Sequence, residues 1–435
     1  MDLGGSENTS ESRFTAYVER LAAALGHADR AAPFRAYCTG LMLPGERKSV
    51  EPMAARVEPG RVGAAHQSLH HFVAKAAWDD SAVLEAVRDL VLPALLECGP
   101  LRFWIIDDTG LPKKGRHSVG VARQYCGQLG KQDNCQVAVS LSLATDHASL
   151  PVALRLYLPE TWADDAVRRA KTGIPDDVAF QTKPAIALEQ IRAAMAVGLP
   201  PGVVLMDAGY GTDTDLRAGI SALGLAYVAG IQSSTSLWPP GVTPLPPKPW
   251  SGRGRPPKGL RRAPGHEPVS AKILAKGLVP TAWRTVTWRE GTNAPLTSRF
   301  AAIRVHPAHR DNERAELRPA EWLLIEWPAD EDEPSKYWLS TLAETASLDD
   351  LVGTAKGRWR IERDYLELKQ ELGLGHYEGR GWRGFHHHAT LCIAAYGFLV
   401  RERAAIPPSA PPRPGRRKAP ALPEGYRPRG SPVAP

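Results

Sequence analysis

The chain has 435 residues, a formal net charge of +7 and a pI near 9.1; 43% of its residues are hydrophobic and 23% charged, as in soluble globular proteins. No apolar run reaches membrane-spanning length, because Leu90 to Ile106 is broken by Pro93, Glu97, Pro100 and Arg102, and the polar, acidic start MDLGGSENTSESR does not read as a signal peptide. Five cysteines without CxxC spacing predict a reduced, cytoplasmic protein without structural zinc, and a chain this long is expected to form two or three domains.

Residues 1–13 are expected to be disordered. From residue 14 to 98 the pattern is helical, with FTAYVERLAAALG, SLHHFVAKAAW and SAVLEAVRDLVLPALL separated by Gly, Pro, Asp and Ser. Basic residues Arg47, Lys48, Arg56 and Arg61 fall between these helices. His66 and His70 lie one helical turn apart, but without a third ligand they read as ordinary histidines.

The apolar run LRFWIIDD then ends in two carboxylates. CQVAVSLSLAT and LPVALRLYL form a hairpin pattern, followed by helix PAIALEQIRAAMAVG, strand GVVLMDA, helix TDTDLRAGISALG and strand AYVAGI. This order predicts an α/β core over 99–230 and 336–400, a mixed sheet with helices packed on it. Residues 231–335 read as a β-rich insertion carrying a basic, Pro-rich loop at Pro239–Pro268, with Asp330–Glu333 as its last turn.

The stretch Ser347–Gly373 reads as one helix, with Ser347 and Asp350 forming a capping box and Gly373 a left-handed stop. Ile361, Tyr365, Leu368 and Leu372 mark its core face. Arg358, Glu362 and Lys369 form a charged stripe beside it. FHHHATLCIAAYGFLVRERAA continues as a helix, and its three histidines are assigned no ligand role. From Arg401 onward eight Lys/Arg face two Glu in a Pro/Arg-rich tail, 401–435, of which residues 407–435 are expected to be disordered. Such a basic tail suits either nucleic acid or plain solvent.

Two strands end in acids: Asp107 and Asp108 after Phe103–Ile106, and Asp207 after Val203–Met206. Acids at adjacent strand ends converge on one sheet edge, where they hold a divalent cation or pair with basic groups. With Glu362 as a third carboxylate, the set suits two Mg²⁺ ions about 3.5–4 Å apart, a clamp for phosphodiester chemistry. The plain alternative is three unrelated acids in turns.

The pattern resembles the DDE transposases of bacterial insertion sequences, in the Y-R-E-K group of the insertion-sequence-four superfamily. Arg358, Glu362 and Lys369 match the Arg-x3-Glu-x6-Lys part of that signature. Ala355 stands where it has tyrosine. DDTGLPKKG, MDAGYG and QYCGQLGK are similar to further elements of one branch of the group. The resemblance implies a ribonuclease H-like core with an insertion subdomain, and Asp107, Asp207 and Glu362 as catalytic metal ligands, with Asp108 as the competing first acid. It implies two Mg²⁺ ions, replaceable by Mn²⁺. It also implies cleavage of transposon ends and joining of the 3′-OH to target DNA by a nucleoid-associated homodimer on double-stranded DNA. The helical residues 14–98 would bind DNA. Arg358 and Lys369 would hold phosphates, with Lys113, Lys114 and Arg123 as further contacts. Trp338 is a candidate for base stacking, against a core role. GRGRPPKG, with Arg253 and Arg255, resembles a minor-groove arm, against a flexible basic loop. An inactive, DNA-binding relative and a nuclease that cuts without joining are the other readings.

Overall fold

The computed structural model describes residues 9–289 and 295–405. The first five helices, α1 (Ser10–Ala22), α2 (Ala31–Met42), α3 (Val50–Val57), α4 (Val62–Ala74) and α5 (Asp80–Glu97), form the expected helical region. Helix α1 begins earlier than expected: Thr9 caps it by accepting from the Ser12 amide, so residues 10–13 are helical. The rest of the expected N-terminal disorder, residues 1–8, lies outside the described residues.

Strands β1 (Phe103–Pro112), β2 (Ala122–Cys126), β3 (Lys131–Ala144) and β4 (Ser149–Leu156) follow. Short helices α6 (Glu160–Ala163) and α7 (Ala166–Thr172) lead to α8 (Lys183–Ala196), β5 (Val203–Met206), α9 (Ala208–Gly211), α10 (Thr214–Ala222) and β6 (Tyr227–Ile231). Next come β7 (Ser236–Trp238), β8 (Val269–Ser270), α11 (Ala271–Lys276), β9 (Arg284–Arg289), β10 (Leu296–Pro307), β11 (Glu321–Trp327) and β12 (Lys336–Ser340). Helices α12 (Leu348–Lys356), α13 (Trp359–Gln370) and α14 (Trp382–Ala405) complete the described chain.

The strands form one mixed sheet in the order β2-β3-β1-β5-β6-β12-β11-β10-β7-β8, with β4 beside β3 and β9 beside β10. β1 pairs antiparallel with β3 and parallel with β5, and β5 pairs parallel with β6. The β3–β4 hairpin is the one the sequence predicts. Both faces of the central strands are covered, which is why FWII is continuously apolar. Trp104 and Ile106 face a layer with Ile186, Ile191, Leu216 and Ile220 of α8 and α10. Phe103 and Ile105 face Leu351, Val352 and Ile361 of α12 and α13. Helix α14 packs with the N-terminal helices and β4, so the helical region and the sheet share one apolar cluster.

Three expectations change. β1 does not stop at its acids but runs to Pro112, because pairing with β3 continues from Asp107–Ser140 to Pro112–Cys135. The insertion is β-rich but is not a separate body: β12 pairs with β6, and β11 and β10 extend the same sheet. The single helix at Ser347–Gly373 is two helices. Its capping box forms and Gly373 is left-handed at φ 69°, but the helix breaks at Gly357 and Arg358. A Cβ on Gly357 would lie 2.7 Å from the Phe103 ring, so the glycine lets the break press onto β1. At the other end, α14 extends through Ala405, and Arg13 pairs with Glu402 at 2.6 Å. Residues 401–405 are helical, as the run FHHHATLCIAAYGFLVRERAA predicts, and the expected disordered stretch, 407–435, lies outside the described residues.

Candidate active site

Alternation along β1 decides where its acids point. Asp107 continues the parity of Phe103 and Ile105 and faces α13, whereas Asp108 continues that of Trp104 and Ile106 and faces α8. The parallel register pairs Ile105 with Leu205, so Asp107 stands level with Asp207 just past the end of β5. Asp207 caps α9, its Oδ1 accepting from the amides of Gly209 at 2.9 Å and Tyr210 at 3.2 Å. Neither Cβ space nor slack exists around this turn: a Cβ on Gly211 would lie 2.0 Å from the Gly230 carbonyl of β6.

Helix α13 brings the third acid. Arg358, at its start, donates to Asp107 Oδ2 at 2.6 Å and to Glu362 Oε1 at 2.8 Å. One guanidinium thus bridges two of the three expected acids. Asp107, Asp108, Asp207, Arg358, Glu362 and Lys369 all line a single cleft of about 700 Å³. Lys369 crosses it to donate to the Gly110 carbonyl at 3.0 Å. Asp108 is held apart, accepting at Oδ2 from Lys183 at 2.7 Å and from the Tyr210 hydroxyl at 3.1 Å.

Burial pushes the Asp107 carboxyl up to about 7; Arg358 opposes this rise and Asp207 adds to it. Burial disfavours the Arg358 cation, but Asp107, Glu362 and Asp207 outweigh it and hold its pKa above the ordinary value. Burial lowers that of Lys369, and Cys126, Asp107 and Asp108 partly offset the effect.

The amino-acid sequence shows similarity in the same region. Residues 20–295, more than half of the chain, match the family described as DDE superfamily endonuclease. This chain belongs to the DDE superfamily endonucleases. The match takes in Asp107 and Asp207, and Glu362 lies beyond it. A probable transposase for insertion sequence element IS701 from Microchaete diplosiphon is 33% identical over 171 residues, 39% of this chain and 41% of the relative. The matched segment therefore spans less than half the length of that relative.

Within this superfamily member the other expected DNA contacts scatter. Lys113 is turned inward, donating to the Tyr377 carbonyl at 2.7 Å, and burial pushes its pKa down to about 8. Lys114 and Arg123 line a separate groove with Arg116. Trp338 is half-buried in β12, packed in the apolar layer under α12, with Lys356 Nζ 5.5 Å from its ring centroid; it does not line the cleft. Arg253 and Arg255 are exposed on the Pro-rich loop, also outside the cleft. Ala355, at the tyrosine position of the signature, is on the buried face of α12 and contributes nothing to the cleft. The histidine triplet is internal: His387 faces the carbonyls of Val73 and Trp78, and His388 bonds Tyr37 and Gly373. Sequence reasoning missed Lys183, Tyr210, Tyr365 and Tyr125 of the cleft lining. Tyr210 lies in the quoted MDAGYG, but no spacing rule connects it to Asp108.

Among the described residues no three Asp, Glu, His or Cys side chains are gathered closely enough to hold a metal ion as they stand. The donor set nevertheless suits a hard cation: Asp107, Asp207 and Glu362 are three of the four carboxylates that line one cleft, and a cationic guanidinium already sits against Asp107 and Glu362.

Proposed function

We propose that this DDE endonuclease is a transposase, hydrolysing a phosphodiester at a transposon end and joining the freed 3′-OH to target DNA. The observation that carries the reading is the convergence of Asp107, Asp207 and Glu362, from two adjacent strands and a helix, with Arg358 and Lys369 in one cleft. The identity to a probable transposase supports the same class, and the mixed sheet with helices on both faces supports the ribonuclease H-like reading.

Charge explains the need for a cation. Four carboxylates and three cations (Lys183, Arg358, Lys369) line the cleft, a formal excess of one negative charge. A phosphate does not enter such a cleft favourably. Divalent cations held by Asp107, Asp207 and Glu362 would reverse that sign and supply activation of water and of the 3′-OH. Arg358 is then free to turn from the acids to a phosphate oxygen, and Lys369, about three turns along the same helix face, holds a second. These contacts position the strand and read no base. Asp108 keeps Lys183 and Tyr210 in place and takes no part in cutting.

The test uses a supercoiled donor plasmid carrying the DNA that flanks the reading frame, incubated with the full chain in Mg²⁺ or Mn²⁺. A joined product, absent with Glu362→Gln and in chelator, is the expected result. Cutting without joining would make the chain a nuclease, and binding without cutting would make it an inactive relative.

A further inference from the structure

Beyond Pro112, where β1 ends, the chain forms the ordered loop 113–121 and returns as β2. Asn134 fastens this loop, donating through Nδ2 to the carbonyls of Lys113 at 2.5 Å and Gly115 at 2.9 Å. Gln136 fastens its far end through the Val119 carbonyl at 2.7 Å. Between this loop, the β2–β3 hairpin and α7 lies a groove of about 650 Å³ lined by Lys114, Arg116, Arg123, Lys131 and Arg168, with Asp133 as its one carboxylate. Asp133 pairs with Lys131 at 3.1 Å, and Arg168 pairs with Asp165 at 3.3 Å. Lys114, Arg116 and Arg123 are exposed and make no salt bridge with any described carboxylate. Asp133 also feels Arg123, but one carboxylate among five lining cations leaves the groove positive, a repulsion that a polyanion removes.

We propose that this groove holds the phosphate backbone of duplex DNA on the same molecule whose phosphodiester lies in the acid cleft. The proposal rests on the transposase reading above. Its geometry comes from β2, which contributes a residue to both places. On β2, Arg123 and Tyr125 fall on one face; Arg123 lines the groove, and Tyr125, 62% exposed, lines the cleft. The two sites therefore meet along one face of β2. A small anion would need only one of these cations. A backbone with regularly spaced phosphates engages all three.

The test measures binding of the full chain to a fluorescent, mixed-sequence duplex of about 30 base pairs between about 50 and 200 mM NaCl. Replacing Lys114, Arg116 and Arg123 together by alanine should weaken binding about tenfold and reduce the slope of log K against log salt by about 2–3; Arg123→Ala alone should reduce it by about 1. Equal melting temperatures for variants and parent confirm that folding is intact. A wild-type slope in the triple variant overturns the proposal, as does a loss confined to single-stranded DNA. Plasmid nicking by the unmodified chain is read in parallel. An unchanged slope with nicking present removes the groove alone, whereas neither binding nor nicking removes the transposase reading with it.

Discussion

Asp107 and Asp108 are neighbours on one strand and therefore serve opposite faces of the sheet. Asp107 meets Arg358 under α13; Asp108 meets Lys183 and Tyr210 under α8. Asp107→Asn should lower metal-dependent cleavage about a thousandfold or more while leaving the melting temperature unchanged or raised, since it removes a buried charge. Asp108→Asn should keep cleavage and lose at most about 1 kcal/mol, because its pair with Lys183 is partly exposed. The reverse result in a paired cleavage and thermal-melt experiment would exchange the two roles. His388 makes a different prediction. Its Nδ1 accepts from the Tyr37 hydroxyl at 2.9 Å, its Nε2–H donates to the Gly373 carbonyl at 3.0 Å, and burial pushes its pKa down to about 4. Unfolded, it titrates near ~6.5, so between these values the unfolded chain binds more protons. Its contribution is present above about pH 6.5 and lost as the pH falls towards about 4. In denaturant titrations the stability gap between the parent and His388→Gln should narrow by about 2–3 kcal/mol from about pH 7 to 4.5. A pH-independent gap would show that His388 is not held neutral.

The element that sets the cleft is the broken pair α12–α13. Its apolar face, Ile361, Tyr365 and Leu368, is buried as the helical period requires. The break is a packing feature: Gly357 lies against Phe103, and Arg358 follows it at the entrance to α13. Gly357→Ala would drive a methyl into the Phe103 ring, costing about 1–3 kcal/mol and displacing Arg358 and Glu362. Urea unfolding should show that loss, and cleavage by the folded protein should fall while duplex binding persists. Retention of full activity would mean that the break does not set the acid geometry. The same element shows why the break was missed. With only Gly353 and Gly357 as interior glycines and no proline, the local sequence favours a continuous helix, and the Phe103 ring that interrupts it lies more than two hundred residues earlier in the chain.

At the scale of the whole molecule, the β-rich stretch and the core are one sheet. β12 sits between β6 and β11, and β7 joins β10, so both sides of the Pro-rich loop are sewn into the same hydrogen-bonded ladder. Trypsin should cut first in that exposed loop, after Arg253 or Lys258. The two fragments should then elute together on gel filtration without denaturant, because strand pairing and the apolar layers span the cut. Separation of the fragments would restore the insertion as an independent body.

Local composition carried much of this chain. Apolar periods in α5, α13 and α14, the β3–β4 hairpin, the capping box at Ser347 and the left-handed Gly373 follow from side-chain spacing and backbone preference over a few residues. The acids were legible too, as carboxylates abutting apolar runs that must be buried. What the sequence could not determine depends on partners distant along the chain. β1 runs past its acids through a Gly and a Pro because β3 supplies the pairing that local propensity denies. Asp107 rather than Asp108 faces Arg358 because strand parity acquires meaning only once α13 is placed on that face. Arg358 bridges two carboxylates because packing, which no residue spacing records, brings the end of α12 down onto Phe103.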